Sequence, residues 1–318
     1  MKKTILGKTG VEISMMGLGC MYFGSKVDER TSFRLMDLYV EHGGNFIDSA
    51  NKYASWLPGF KGGESELLIG KWLSQRGGAG DLLISSKVGF PYGDVPRSLK
   101  KELIISECEL SLGRLGVECI DLYFAHAYDA DTPIEETMEA FYILKKEGKI
   151  RYAGASNFMG WRLEGANAAA GTQQWDGFCC LQQRHTFLEP TARADFGNQL
   201  ILTPEMVDLC RMKDLTLMAY SPLLGGIYGK EGAVIPPQYQ SLDARQKLDS
   251  LLTLASSTGH SPNQLVLSWM LHSSPPVIPL VTGSSEQQLR ENLEAASISL
   301  SREQMDSLDH PVTEANKY

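Results

Sequence analysis

The sequence predicts an α/β fold, a (β/α)8 TIM barrel with an N-terminal β-hairpin cap, on three observations. First, successive apolar runs each close on a polar residue. Phe46-Ile47 stops at Asp48, Leu82-Leu83-Ile84-Ser85-Ser86 at Lys87, and Leu122-Tyr123-Phe124-Ala125 at His126, with both steps (48 to 87, 87 to 126) equal to 39 residues. That interval suits one strand-helix unit, and strands alternating with helical patterns build a parallel sheet covered by helices. Second, eight such strands can be counted along the 318 residues. Third, no linker rich in Pro, Gly or charge divides them, so a single barrel domain over residues 1–318 is favoured over a doubly wound two-domain layout.

The elements follow in order. Residues 3–13 alternate weakly around Lys8-Thr9-Gly10, the pattern of a small hairpin able to plug one barrel end. Met15 to Phe23 reads as the first barrel strand, and helical spacing through Phe33, Leu35, Met36, Leu38 and Tyr39 runs to a stop at Gly43-Gly44. Behind the second strand, the loop from Ala54 to Gly63 carries Trp56, Leu57, Pro58 and Phe60 ahead of a helix over Glu64 to Leu73. The third unit pairs Leu82–Gly89 with a helix near Arg97–Leu115. The fourth strand is Cys119–His126, and its helix opens at Thr132-Pro133-Ile134-Glu135, read as a capping box with Pro at the first helical position. Strands five to eight are Tyr152–Asn157, Phe178–Arg184, Thr216–Leu223 and Pro276–Val281. Helices are expected from near Met159, from Thr203-Pro204, from the capping box Ser261-Pro262-Asn263-Gln264 to His272, and from about Glu286.

Composition narrows the function. A formal charge of −8, without any Lys/Arg cluster, argues against a nucleic-acid partner, because neutralising phosphates needs a basic face. No apolar run approaches the roughly 18 residues of a membrane span, and the charged start Met1-Lys2-Lys3 lacks an apolar stretch before Lys8. Six cysteines, mostly inside apolar runs (Cys20, Cys119, Cys179, Cys180), read as reduced core residues and not as a disulfide frame or metal site. The expected compartment is therefore the cytoplasm, and the partner a small molecule; oligomeric state is not legible.

Chemistry gathers at the strand ends, where barrels bind ligands. Five residues past Asp48 stands Tyr53, whose ordinary pKa of about 10 makes it a poor acid unless something nearby stabilises its anion. Lys87 is the available cation and His126 a further proton-handling group. An isolated Asp-Lys pair reads as a core ion pair; four such residues at successive strand ends read as a site. Ser156-Asn157 and Gln182 can offer hydroxyl and amide groups to a flat polar ligand such as a carboxamide.

A nucleotide, if bound, is bound without a Rossmann loop, since Gly17-Leu18-Gly19-Cys20-Met21-Tyr22 lacks the third glycine and no Walker loop is present. Thr282-Gly283-Ser284-Ser285 instead leads into a helix capped by Ser285 with Gln288 at its third position, an anion site of free amides and helix dipole. The glycine-rich loop Ser221-Pro222-Leu223-Leu224-Gly225-Gly226-Ile227-Tyr228-Gly229-Lys230 ends in a cation and can share a pyrophosphate with it.

Six segments together resemble the aldo-keto reductase superfamily over essentially the full chain: Asn45 to Tyr53, Ser85-Ser86-Lys87, Asp121 to His126, Gly154-Ala155-Ser156-Asn157-Phe158, Ala219-Tyr220-Ser221-Pro222-Leu223 and Arg290-Glu291-Asn292. The resemblance implies an NAD(P)H-dependent oxidoreductase moving hydride between nicotinamide and a carbonyl or alcohol. The family's catalytic tetrad falls on Asp48, Tyr53, Lys87 and His126. It implies Tyr53 as general acid, Lys87 lowering the tyrosine's pKa while paired to Asp48, and His126 orienting the carbonyl oxygen. Ser156, Asn157 and Gln182 would hold the carboxamide, with Tyr220 stacked on the ring. Ser221, Leu223 and Gly225 would line the pyrophosphate with Lys230 at the loop's end, and Gly283, Ser285, Gln288 and Asn292 would meet the adenosine end. NADP(H) is favoured on the serines at the helix cap, and NAD(H) stays possible because Ser285 and Gln288 are neutral where many relatives carry a cation. Gln182-Gln183-Arg184-His185 also departs from the Gln-Asn-Glu-Tyr common in relatives. Tyr22, Trp56, Phe60 and Tyr128 are the expected substrate wall, suited to an aromatic aldehyde or a sugar. Two alternatives stay open, a non-catalytic cofactor-sensing subunit and a cofactor-free barrel isomerase using Lys87 and His126.

Overall fold

The structure, a computed structural model, describes residues 1–230 and 232–310. It begins with an antiparallel hairpin, β1 (Lys3–Ile5) and β2 (Glu12–Ser14), in which Thr4 faces Ile13. Eight parallel strands then close a barrel: β3 (Gly17–Gly19), β4 (Phe46–Asp48), β5 (Leu83–Val88), β6 (Ile120–Ala125), β7 (Ile150–Ser156), β8 (Cys180–Arg184), β9 (Thr216–Tyr220) and β10 (Val277–Val281), which pairs back onto β3. The outer helices after β3 to β8 are α1 (Glu29–Glu41), α2 (Glu64–Gln75), α3 (Lys101–Leu115), α4 (Ile134–Lys146), α5 (Gly160–Thr172) and α6 (Pro204–Lys213). Two helices, α7 (Leu242–Thr258) and α8 (Pro262–His272), separate β9 from β10, and α9 (Glu286–Glu294) and α10 (Arg302–Asp309) end the described chain. No described helix is long and apolar enough to cross a membrane.

Strand alternation explains what fills the barrel. Phe46, Leu83, Leu122, Phe124, Met218 and Ile278 form an inner apolar cluster, and Leu6 and Ile13 of the hairpin segment close it from below. Glycine is required beside these rings: a Cβ on Gly17 would stand 2.7 Å from a Phe46 ring carbon, and one on Gly154 2.6 Å from Phe124. The intervening residues Ile47, Ile84 and Tyr123 join the outer core under the helices. Because side chains alternate with period two, the parity that sends Phe46, Leu83 and Leu122 inward also sends Asp48, Ser85, Lys87 and His126 inward, now at the carboxyl end. The floor is solid, so a ligand has only that end to enter.

Four local expectations are corrected. The first barrel strand spans three residues, not Met15 to Phe23, because β4 offers it only Ile47 and Asp48 as partners; beyond Gly19 the chain turns, with Phe23 N donating to Cys20 O at 3.0 Å. Thr132 does not cap α4: its hydroxyl donates to Asp129 at 2.6 Å, Pro133 takes the cap position and no side chain caps that helix. α3 starts at Lys101 because the chain before it is drawn off, Arg97 donating to Tyr128 O at 2.8 Å and Leu99 N to Asp129 at 3.0 Å. α7 and α10 were not anticipated; Ser241 and Ser301 cap them through Ala244 N and Gln304 N.

Candidate active site

Lys87 is the centre of the site. Fully buried on β5, its ammonium donates to Asp48 Oδ2 at 2.6 Å, to Ser49 O at 2.7 Å and to Tyr53 Oη at 2.9 Å. Three acceptors saturate its three protons. Asp48 is held in turn by Ser85 Oγ at 2.8 Å and Gln182 Nε2 at 3.1 Å on its other oxygen, and Tyr53 Oη donates to Oδ2 at 3.3 Å. The Tyr53 ring is half-buried and edge-on to the His126 imidazole, with centroids 6.1 Å apart. His126 Nδ1 is buried without a partner among the described residues.

The electrostatics give the phenol a net direction. Burial first, then the charge of Asp48 and the hydrogen bond to it, hold the Tyr53 phenol well above its ordinary range. Any lowering by the Lys87 ammonium is outweighed in this state. Besides burial, the ammonium is shared: Asp48 sits at 2.6 Å from Nζ and offsets part of its field at the phenol. Burial pushes Lys87 itself down, against the pull of Asp48. Burial, then Lys87 and Lys52, hold His126 well below the ordinary histidine value, leaving a neutral ring that can donate one N–H.

On the cofactor side, the donor set suits a carboxamide in part. Gln182 spends its Nε2 on Asp48 but its Oε1 accepts from none of the described residues, and the Ser156 hydroxyl accepts from Asn157 at 3.2 Å while donating to none of them. One free acceptor and one free donor match an amide group. Asn157 is fully engaged: Nδ2 donates to His126 O at 2.8 Å, and Oδ1 accepts from Leu200 N at 3.0 Å and from Tyr220 Oη at 2.7 Å. It braces Tyr220 at the rim. Ser221 and Leu224, with φ of 57° and 48°, and Gly225 and Gly226 turn the loop after β9, where Leu223 is half-buried and Lys230 exposed. At α9, Ser285 caps Gln288 N at 3.3 Å, Gln288 Oε1 accepts from both Ser284 N and Ser284 Oγ at 2.9 Å, and buried Asn292 ties to Thr282 O at 3.0 Å. A Cβ on Gly283 would stand 3.1 Å from Leu289 N, so that loop lies tight against its helix.

Of the expected substrate wall, Trp56 is brought to the phenol, edge-on to Tyr53 with centroids 6.4 Å apart. Phe60 lies half-buried on the same loop, Tyr22 lies in the turn after β3 under Lys26, and Tyr128 packs against Phe158 with Arg162 over its ring at 4.5 Å. Sequence reasoning missed Phe90, whose ring stands 4.7 Å from His126, and Ser85, although its parity with Lys87 was legible. It also missed Glu107, which fixes the loop between Asp48 and Tyr53 from below by accepting from Asn51 Nδ2 at 2.7 Å and Tyr92 Oη at 2.6 Å. Its signal was a carboxylate on the same face of α3 as Ile104 and Ser111.

A profile of the Aldo/keto reductase family matches residues 15–312. The chain is 33% identical over 319 aligned positions to a protein named uncharacterized oxidoreductase YrpG from Bacillus subtilis, covering 95% of this chain and 93% of that one. It is 28% identical to norsolorinic acid reductase of Aspergillus flavus, covering 96% of this chain and 80% of that one. A solved structure of the thermostable aldo-keto reductase Tm1743, in complex with the inhibitor epalrestat, superposes with a TM-score of 0.77 at 28% identity over 97% of this chain and 99% of that one. With its barrel, its strand-end polar cluster and this similarity in accord, the chain belongs to the aldo/keto reductase family, oxidoreductases that use nicotinamide cofactors.

Proposed function

We propose that the protein reduces an aldehyde, ketone or sugar carbonyl with NADP(H), acting in the CH–OH class of oxidoreductases, with Tyr53 as the general acid and, in reverse, the general base. The observation that carries this reading is Lys87 Nζ bonded at once to Asp48 Oδ2 and to Tyr53 Oη. The hydride comes from the nicotinamide when the cofactor is bound, held by Ser156, Gln182 and Tyr220. The chain's own part is proton handling. A substrate oxygen placed between Tyr53 Oη and neutral His126 accepts a hydrogen bond from each, and as negative charge grows on it the phenol proton moves across. A phenol held protonated through the neutral range suits reduction, because it is always loaded. The tyrosinate left behind lies against the Lys87 ammonium, and solvent reloads it. NADP(H) preference rests on the serine hydroxyls and free amides at the start of α9, and NAD(H) use is the alternative there.

The test is consumption of reduced nicotinamide with a panel of aldehydes, ketones and sugars, wild type against Tyr53→Phe. Loss of a positioned proton donor should slow turnover by about 10²–10⁴-fold. Equal rates for the two proteins would remove Tyr53 from the chemistry.

A further inference from the structure

Lys52 stands apart from every comparable lysine. Seven described lysines are buried or half-buried, and six of them, Lys87, Lys101, Lys145, Lys149, Lys213 and Lys247, form an ion pair with a carboxylate. Lys52 is the seventh, and it pairs with no described carboxylate, in a chain with 38 acidic and 30 basic residues. Its ammonium lies 4.7 Å above the Phe90 ring and 5.8 Å from that of Trp56. Those two rings are the ones that flank the site, Phe90 against His126 and Trp56 against Tyr53. Three buried carboxylates of the strand-end region are committed elsewhere: Asp48 to Lys87, Ser85 and Gln182, Glu107 to Asn51 and Tyr92, and Glu66 to Ser86 and Arg114.

We infer that Lys52 is an anion-recognition point at the substrate mouth, and that the preferred carbonyl substrate carries a carboxylate about one aromatic ring away from the reacting carbon. The inference rests on the reductase reading above and names its substrate class. Aromatic faces attract a cation only weakly, so a partly desolvated ammonium held between them gains most from a true counter-ion. Burial already disfavours its charged form, which an anionic ligand would restore. A single point charge between apolar rings fits one carboxylate on an apolar body, since a phosphate ordinarily draws several donors.

The experiment compares 4-formylbenzoate with methyl 4-formylbenzoate, two aldehydes of similar shape that differ in one charge, on wild type, Lys52→Met and Lys52→Arg. Wild type should favour the carboxylate in kcat/KM. The Met variant should shrink that ratio by about tenfold to a hundredfold, the range for a charge-assisted contact, and the Arg variant should keep most of it. Binding of both compounds, followed by quenching of tryptophan fluorescence, should show the same pattern without turnover. A ratio that does not change between wild type and Lys52→Met, in turnover or in binding, overturns the inference. Discrimination in binding with no reduction of either aldehyde would uphold the anion site and count against the reductase reading instead, so the two failures are distinguishable.

Discussion

Replacing Asp48 by Asn isolates the question of what sets the acidity of Tyr53. The phenol oxygen lies 2.9 Å from the Lys87 ammonium and 3.3 Å from an Asp48 carboxylate oxygen. With an effective dielectric near 20, a unit charge at those separations is worth about 6 and about 5 kcal/mol, opposite in sign, so the two nearly cancel and desolvation decides the direction. Asn keeps an oxygen for Ser85 and Gln182 but presents an N–H toward Lys87, leaving the ammonium without a counter-ion in a fully buried site. Breaking such a pair costs about 3–5 kcal/mol, and the protein has two ways to relieve it, ionising Tyr53 or discharging Lys87. The unopposed ammonium should bring Tyr53's titration below the ordinary phenol value of about 10. A tyrosine whose folded pKa is depressed adds stability above the unfolded value and loses it as pH falls through the folded one. The deficit of Asp48→Asn in urea unfolding should therefore shrink as pH rises toward 10. The assay is tyrosinate absorbance in Asp48→Asn minus that in the Asp48→Asn/Tyr53→Phe double variant, a subtraction needed because the chain has 12 tyrosines. A difference that stays flat up to the ordinary phenol range would mean that Lys87 had discharged instead, and the ammonium's role as acidifier would fall.

Three further outcomes are expected. In wild type, kcat/KM for carbonyl reduction should be level from about pH 6.5 to about 10, because Tyr53 stays protonated and His126 neutral across that window; a base limb near pH 8 that shifts in Asp48→Asn would contradict the direction given to Tyr53. Gln288→Arg should tilt the ratio of Kd for NADPH and NADH toward NADPH by about tenfold through a charge-assisted contact with the extra phosphate, and it also frees Ser284 N and Oγ from their present acceptor; an unmoved ratio would displace the adenosine end from α9. His185, stacked on Trp269 and brought down to about 4 by burial and then Lys247, leaves the unfolded chain binding the extra proton, so stability should fall by at most about 3 kcal/mol as pH drops from about 6.5 to about 4, and His185→Phe should recover much of that loss in urea midpoints.

The strand-end residues were legible because two local rules act together on them. Period-two alternation fixes which side chains enter the barrel, and the 39-residue interval fixes which strands are neighbours, so Asp48, Lys87 and His126 could be placed on one rim without any contact being known. Elements outside that rhythm were not legible. α7 inserts a second helix between β9 and β10, and its cap at Ser241 lacks the acidic or amide residue at the third position that marks a box, since Ala244 stands there. Thr132 looked like a cap until a carboxylate three residues upstream, Asp129, took its hydroxyl.

What escapes a sequence altogether is how a donor is divided among acceptors. Lys87 and Tyr53 identify themselves as residue types, but whether the ammonium acidifies the phenol depends on Asp48 standing on the same nitrogen and the same phenol oxygen, a three-body fact. Gln182 shows the same limit: expected to help hold a carboxamide, it gives one end of its amide to Asp48 and keeps the other. Lys52 is the extreme case, because its proposed role depends on its lying over two rings without a described carboxylate partner, a property that belongs to the packed loops and to no residue alone. The chemistry of this barrel mouth is thus set by which polar groups are left over after the buried ones have paired. That is why single substitutions that release a partner, Asp48→Asn above all, should change the direction of a proton equilibrium and not merely weaken a contact.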